Sequence, residues 1–265
     1  MKILFNKIPH HMSSQWKVNL KLHKEKLFVF FFIIISFTPF YFLNKNKIYY
    51  LTREDGFFEY VGAIFLFISS LLSFYHWYRD KRGNNFYLIK IRKNIFYLLL
   101  GLLFLVAAGE EISWGQRIFK FSTPSYVEEV NIQKEFNIHN IKIFEKNDSF
   151  LNHLFFLLFA PAYFFRNFIF VFCFLIPLIF QRHIKCRKFF YTINIPISKM
   201  DVFYFFCVTY LISRLTGFLI DDERLLHSIV EVKEFVYGFF MTYMMVTIKQ
   251  NDESVKNKFR SLKNT

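Results

Sequence analysis

The sequence predicts an all-α protein: a polytopic membrane helical bundle of about six transmembrane helices, with a short extracytoplasmic surface helix. Three observations carry that prediction. Hydrophobic residues make up 54% of the chain and Phe alone supplies 41 of 265 residues, more apolar surface than a soluble core of this size needs. Apolar windows long enough to cross a hydrocarbon layer, roughly 20 residues each, recur at 27–43, 57–78, 94–110, 151–180, 199–220 and 226–248. Lys and Arg gather in alternate connections between these windows.

Residues 1–26 form a basic arm with no small-residue cleavage site, so 27–43 reads as a retained first span and the mature chain begins near Met1. The second window follows Asp55-Gly56 and carries Glu59 at its start. The third ends in Gly109-Glu110-Glu111. The fourth, 151–180, is irregular because it holds Pro161, Pro177 and Arg166-Asn167. It reads either as a single long helix, tilted or kinked at Pro161, or as a half-helix followed by one span. Arg166 then either finds an internal partner or snorkels to an interface. The fifth and sixth windows are joined by Asp221-Asp222-Glu223-Arg224, which reads as a solvated turn. Residues 249–265 make a basic tail. The chain has no repeat and no Gly/Ser linker, so 27–248 is one bundle with an outer loop at 111–150, and its low Gly content argues against close small-residue helix crossings.

Orientation follows from the basic residues, which stay on the cytoplasmic side near span ends. The arm, the 79–93 loop, the 182–188 loop and the tail all carry them. With six spans these segments share one side, which makes both termini cytoplasmic in a bacterial inner membrane. The net charge of +14 is thus explained by topology and contact with anionic membrane lipids, and no nucleic-acid motif is present. Cys173, Cys186 and Cys207 have no close-spaced partner and read as packing residues.

Once topology is set, the polar residues converge on the extracytoplasmic side. Charged groups at the end of a span are costly unless paired, bound to a metal or at work. Glu59, Glu110, Glu111, His139, His227, Glu231 and Glu234 fall there. Arg214 lies six residues inside the fifth window, a depth of roughly 9 Å. Residues three and four apart share a helix face, which makes His227, Glu231 and Glu234 one stripe. Glu110, Trp114 and Arg117 form another if the helix continues through Gly115. Asn131, Glu135 and His139 recur every four residues, which suggests a short amphipathic surface helix able to cap the pocket.

The run Gly109-Glu110-Glu111-Ile112-Ser113-Trp114-Gly115-Gln116-Arg117, followed by Thr123-Pro124 and Asn131-x-Gln133-x-Glu135-x-Asn137-x-His139-Asn140, resembles a family of uncharacterised bacterial multi-pass membrane proteins. The resemblance covers about residues 53–248 and extends to Asp55-Gly56, Glu59, Glu231 and Glu234. Lys134 departs from the family pattern, which has Gly there. Because the family has no assigned activity, the resemblance implies a site and not a reaction.

Three functional classes fit these residues. In the first, a membrane-embedded hydrolase or transferase acts on a lipid or lipid-linked substrate. Glu110, Glu111, His139 and Arg117 would be its catalytic groups, and Trp114, Gln116, Arg214, Glu59 and Asn140 would contact substrate. Glu231, Glu234 and His227 would hold a divalent metal that polarises water or a head group. The second class is a non-enzymatic ligand-binding, ion-binding or transport protein. The third is a membrane assembly subunit in which ion pairs of Glu110 and Glu111 with Arg117, Arg214 or Arg166 merely lock helix packing. The sequence specifies no oligomeric state.

Overall fold

The computed structural model describes residues 10–53, 56–80, 83–85, 90–132, 134–138, 141–142 and 161–263; the side chains of 10–23, 85, 117, 161–163 and 249–263 lie outside that description. Its architecture is all-α apart from a two-residue ladder. In chain order the elements are α1 (His10–Phe37), α2 (Pro39–Phe42), α3 (Lys45–Thr52), α4 (Phe57–Arg79), β1 (Asn84–Asn85), β2 (Lys90–Ile91) and α5 (Ile95–Glu111). Beyond α5 come a 3₁₀ turn (Ser113–Gly115), α6 (Gln116–Phe119) and α7 (Ser125–Val130). Then follow α8 (Pro161–Phe168), a π-helical stretch (Ile169–Leu175), α9 (Ile176–Arg182), α10 (Ile184–Ile193), α11 (Met200–Phe218) and α12 (Glu223–Lys263).

The long helices alternate in direction. The α4–α5 pair is antiparallel, with Ser70 Oγ donating to Gly101 O at 2.8 Å and the His76 ring 5.4 Å from Tyr97. The α12 helix runs parallel to α4: Thr242 Oγ1 donates to Phe65 O at 2.7 Å, and further along His76 Nε2 lies 3.0 Å from Met245 O. By contrast α11 is antiparallel to α12 and parallel to α1, which it meets through Lys26–Asp201 at 3.0 Å and Tyr41–Thr216 at 3.0 Å. The continuous stretch from α8 to α9 runs beside α12, from Phe165 against Tyr237 to Cys173 against Met244. Helix α12 is the centre of the core, with Val232, Val236, Phe240, Met241, Met244 and Met245 fully buried.

Three segments are long and apolar enough to cross a membrane by length and composition among the described residues: Lys24–Phe42, Lys45–Arg79 and Phe164–Arg182. This is half the number expected from the windows, and the reason is compositional. Helix α5 is only 17 residues long. Helix α11 contains Asp201 and Arg214, and the first turns of the central helix α12 contain Glu231, Lys233 and Glu234. Such charge leaves α11 and the start of α12 less apolar than a span requires by composition alone.

The irregular fourth window is helical without interruption from Pro161 to Arg182, and residues 151–160 lie outside the described set. The π turn accounts for its continuity. Pro177 has no N–H and its ring would crowd the carbonyl four residues back, at Cys173; a widened turn over Ile169–Leu175 relieves that conflict without a break. One expectation is locally reversed, since two of the few glycines make a close crossing. A Cβ at Gly238 would lie 2.9 Å from the Gly62 carbonyl oxygen, so α4 and α12 touch through backbone there.

Short elements brace the two ends of the bundle. At one end Asn84 Nδ2 donates to Ile193 O at 2.7 Å and Asn94 Nδ2 donates to Asn194 O at 2.8 Å, tying the 83–94 connection to α10. At the other end α3 is clamped to α12. Asp222 accepts from Lys45 Nζ at 3.0 Å and from Tyr49 Oη at 2.9 Å, while its Oδ1 caps the first N–H groups of α12 at Arg224 and Leu225. Asp222 is thus a latch within the solvated turn the sequence suggested, where Asp221, Glu223 and Arg224 are exposed. The bonds from Lys45 and Tyr49 hold its carboxyl down at about 2.

Candidate functional site

The chain leaves α5 through three successive residues in the left-handed region: Ser113 (φ 45°), Trp114 (φ 53°) and Gly115 (φ 75°). The helix therefore stops at Glu111 and does not continue through Gly115, so Glu110, Trp114 and Arg117 do not share a helix face as expected. The reversal instead folds the Trp114 indole back over Gly109, where a Cβ would sit 2.9 Å from the ring. From there the indole N–H donates to Glu110 Oε1 at 2.6 Å.

The second carboxylate oxygen of Glu110 accepts the backbone N–H of Ile138 at 2.6 Å, which fastens the 131–138 loop to the end of α5. Side chains of both motif segments complete the knot. Ser113 Oγ donates to Glu135 Oε2 at 2.7 Å, and Asn137 Nδ2 donates to the same oxygen at 3.1 Å. Asn131 Nδ2 donates to Asn137 Oδ1 at 2.8 Å, while Asn131 Oδ1 accepts Glu135 N at 3.2 Å. Gln116 Oε1 accepts Phe136 N at 2.7 Å, and Gln116 Nε2 donates to Thr123 Oγ1 at 2.6 Å. Asn131, Asn137 and Ser113 are buried inside this knot, as their satisfied polar atoms permit. The loop is not the amphipathic helix that the four-residue spacing suggested; the surface helix lies earlier, at Ser125–Val130. Lys134 takes φ 58°, a left-handed conformation in which Gly is at ease. His139 and Asn140 lie outside the described residues, as does the side chain of Arg117.

Glu111, about 100° further around the helix, points the other way. Its Oε1 lies 3.8 Å from where a Cβ on Gly62 would be, in the seam between α4 and α12. Its electrostatic neighbours are Glu234, Glu231 and Glu59, all of like charge. These come from three helices: the end of α5, the first turn of α4 and the early turns of α12. Glycine makes the convergence geometrically available, because the Gly62–Gly238 crossing brings α4 against α12 one turn from the acids. Glu231 also meets His227 at 3.6 Å, and His227 is exposed at the rim. One turn beyond Glu234, Tyr237 lies within electrostatic reach of both Glu234 and Arg166. Arg166 thus stands on the cluster's α8 side.

The structure therefore divides the expected site residues into groups. Glu59, Glu111, Glu231 and Glu234 converge, with His227 at the edge. Glu110, Trp114 and Gln116 sit next to them but are engaged in holding the loop. Arg214 is exposed on the outer face of α11, among exposed Leu211, Leu215 and Phe218, and is not among the electrostatic neighbours of Glu111. Among the described residues no three His, Cys, Asp or Glu side chains are arranged to hold a metal ion. Tyr237 and Gly62 were not singled out from the sequence. Their signals were the 231–234–237/238 periodicity of α12 and the scarcity of glycine, which gives each one weight. No family model, curated protein or solved structure matches this chain.

Proposed function

We propose that this chain is a six-span protein of the bacterial cytoplasmic membrane, with both termini cytoplasmic, whose extracytoplasmic carboxylates bind a cationic group. That group is a proton or an ammonium. The alternating helix directions and the grouping of basic segments at the end opposite the acids support the topology. One observation carries the binding reading: Glu111 has Glu59, Glu231 and Glu234 as its electrostatic neighbours and receives no hydrogen bond from the described residues. Like charges gathered around the Glu111 carboxylate repel it, and the entry of a proton or cation relieves that repulsion. The test is calorimetric titration of the reconstituted protein with protons and an alkylammonium. A binding event present in the parent and in Asp221→Asn but lost in Glu111→Gln supports the reading. Identical isotherms in all three would end it.

A second reading, a metal-assisted hydrolase or transferase on a lipid or lipid-linked substrate, is favoured by the presence of both exposed Glu234 and Arg166 within electrostatic reach of Tyr237. An anionic head group could meet Arg166 while one of the acids serves as general acid or base. Incubation with bilayer lipids and analysis of products by mass spectrometry separates the two: a product that disappears in Glu234→Gln makes the chain an enzyme.

A further inference from the structure

The geometry points to helix α10, Ile184–Ile193, as an in-plane membrane-surface element that binds anionic lipid head groups. This inference rests on the reading of the bundle as membrane-embedded and adds an interaction surface at the end opposite the acids.

The helix is held at both ends. At its start Arg187 folds back on the end of α9, its Nε donating to Phe180 O at 2.9 Å and its Nη2 to Gln181 O at 2.7 Å. At its finish the Ile193 and Asn194 carbonyls accept from Asn84 and Asn94, and Asn194 terminates the helix in the left-handed region at φ 55°. Both asparagines are buried, so this anchorage is internal to the fold. The bend at His183 turns α10 away from the line of α9, which ends the Phe164–Arg182 stretch that is long and apolar enough to span. A helix fixed in this way at a span's end has one direction left in which to place its free face.

That face combines two kinds of side chain. Ile184, Phe189 and Tyr191 are 66%, 58% and 48% exposed, an apolar load that water alone does not reward. Lys185 and Lys188 are exposed among them, and Lys90 and Arg92 of the tethered connection are exposed beside it. Apolar groups at acyl depth with Lys side chains reaching up to phosphate is how an interfacial helix sits in an anionic leaflet. Charge decides the occupant: the free face carries Lys and no Asp or Glu between residues 182 and 199, so it complements an anionic surface.

Hydrogen-exchange mass spectrometry tests this on the full chain in nanodiscs of phosphatidylcholine alone and of phosphatidylcholine with phosphatidylglycerol. Two lysines at an anionic surface predict roughly tenfold slower exchange over 184–193 in the anionic discs, with no change at α4 or α12. The double variant Lys185→Gln, Lys188→Gln should lose that difference while melting as the parent does in neutral discs. Ile184→Ser with Phe189→Ser should raise exchange in both disc types. Equal exchange of the parent in the two discs overturns the proposal, as does protection that follows protein concentration, which would mean a second copy covers the face. Protection by a soluble acidic protein or RNA in neutral discs, without a lipid effect, overturns it equally. Failure to enter either disc counts against the membrane reading itself, and entry into both without discrimination counts against α10 alone.

Discussion

The indole ring of Trp114 lies against Gly109 so closely that a methyl group there would stand 2.9 Å from it. This contact lets the indole N–H reach Glu110, and Glu110 in turn holds the loop through Ile138. Gly109→Ala should displace the ring and cost about 1–3 kcal/mol. The check is a fall in melting temperature with a shift of tryptophan emission. An unchanged spectrum would show that the ring was not seated there.

Glu110 and Glu111 should separate cleanly. Glu110→Gln replaces a carboxylate that accepts two short hydrogen bonds, and bonds to charged acceptors are worth about 1.5–3 kcal/mol each. Faster proteolysis within the outer loop is the expected readout. Glu111→Gln removes a like charge from a group of four and should leave melting unchanged or raise it. If the two variants behave alike, the division of roles between them is wrong.

Lys134→Gly should stabilise the loop. A non-Gly residue in the left-handed region costs about 1–2 kcal/mol, partly offset by the greater freedom of glycine in the unfolded chain. The long 3.8 Å pair of Lys134 with Glu128 is exposed and contributes little. A melting temperature that drops on this change would mean the exposed pair matters more than the backbone.

Gly238→Ala should be far more damaging than Gly217→Ala. The first Cβ would meet the Gly62 carbonyl at 2.9 Å, a backbone atom that cannot rotate away, whereas the second meets the flexible end of Leu226 at 3.4 Å. Separating α4 from α12 should also weaken whatever binds among Glu59, Glu111 and Glu231. Comparable stability of the two variants would show that the helices have room to part.

The Asp222 latch should be indifferent to pH through the neutral range and open in acid. Its folded-state pKa of about 2 is below the ordinary 3.8, so its contribution is complete above the ordinary value and is lost as pH falls through the folded one. Exchange at α3 followed by acid titration should rise over that window, and in Asp222→Asn should be raised at every pH. A rise near neutrality would mean another group governs the latch.

The convergence of the acids was legible because it needed only helix direction and rotation: Glu59, Glu111, Glu231 and Glu234 sit at like ends of helices whose order alternates. What was not legible depended on backbone dihedrals and on side chains turning into backbone partners. Four-residue spacing from Asn131 to His139 fits a helix, yet Asn131 spends its amide on Asn137 and Glu135, and Lys134 leaves the helical region altogether. Arg214 could be placed in depth from sequence but not in angle, since a helix with polar Thr209, Ser213 and Thr216 on its buried side and Arg214 on the other reads as polar on both. The solvated turn at Asp222 was legible, but nothing in its neighbourhood announced that Lys45 and Tyr49 of α3 would reach it.

The wide turn over Ile169–Leu175 makes the Arg166 end of its helix sensitive to chain length. An α-helix advances about 100° per residue, and the π stretch absorbs a surplus of that order before the chain reaches Pro177. Deleting one residue between 169 and 175 would remove that surplus and return the helix to ordinary α geometry with Arg166 still near Tyr237, whereas a second deletion there would swing everything upstream around the axis by that angle. Arg166 would then leave Tyr237 and turn toward a different neighbour, so a lesion far below the acids would rewrite the charge balance at the top of the bundle with every carboxylate still in place.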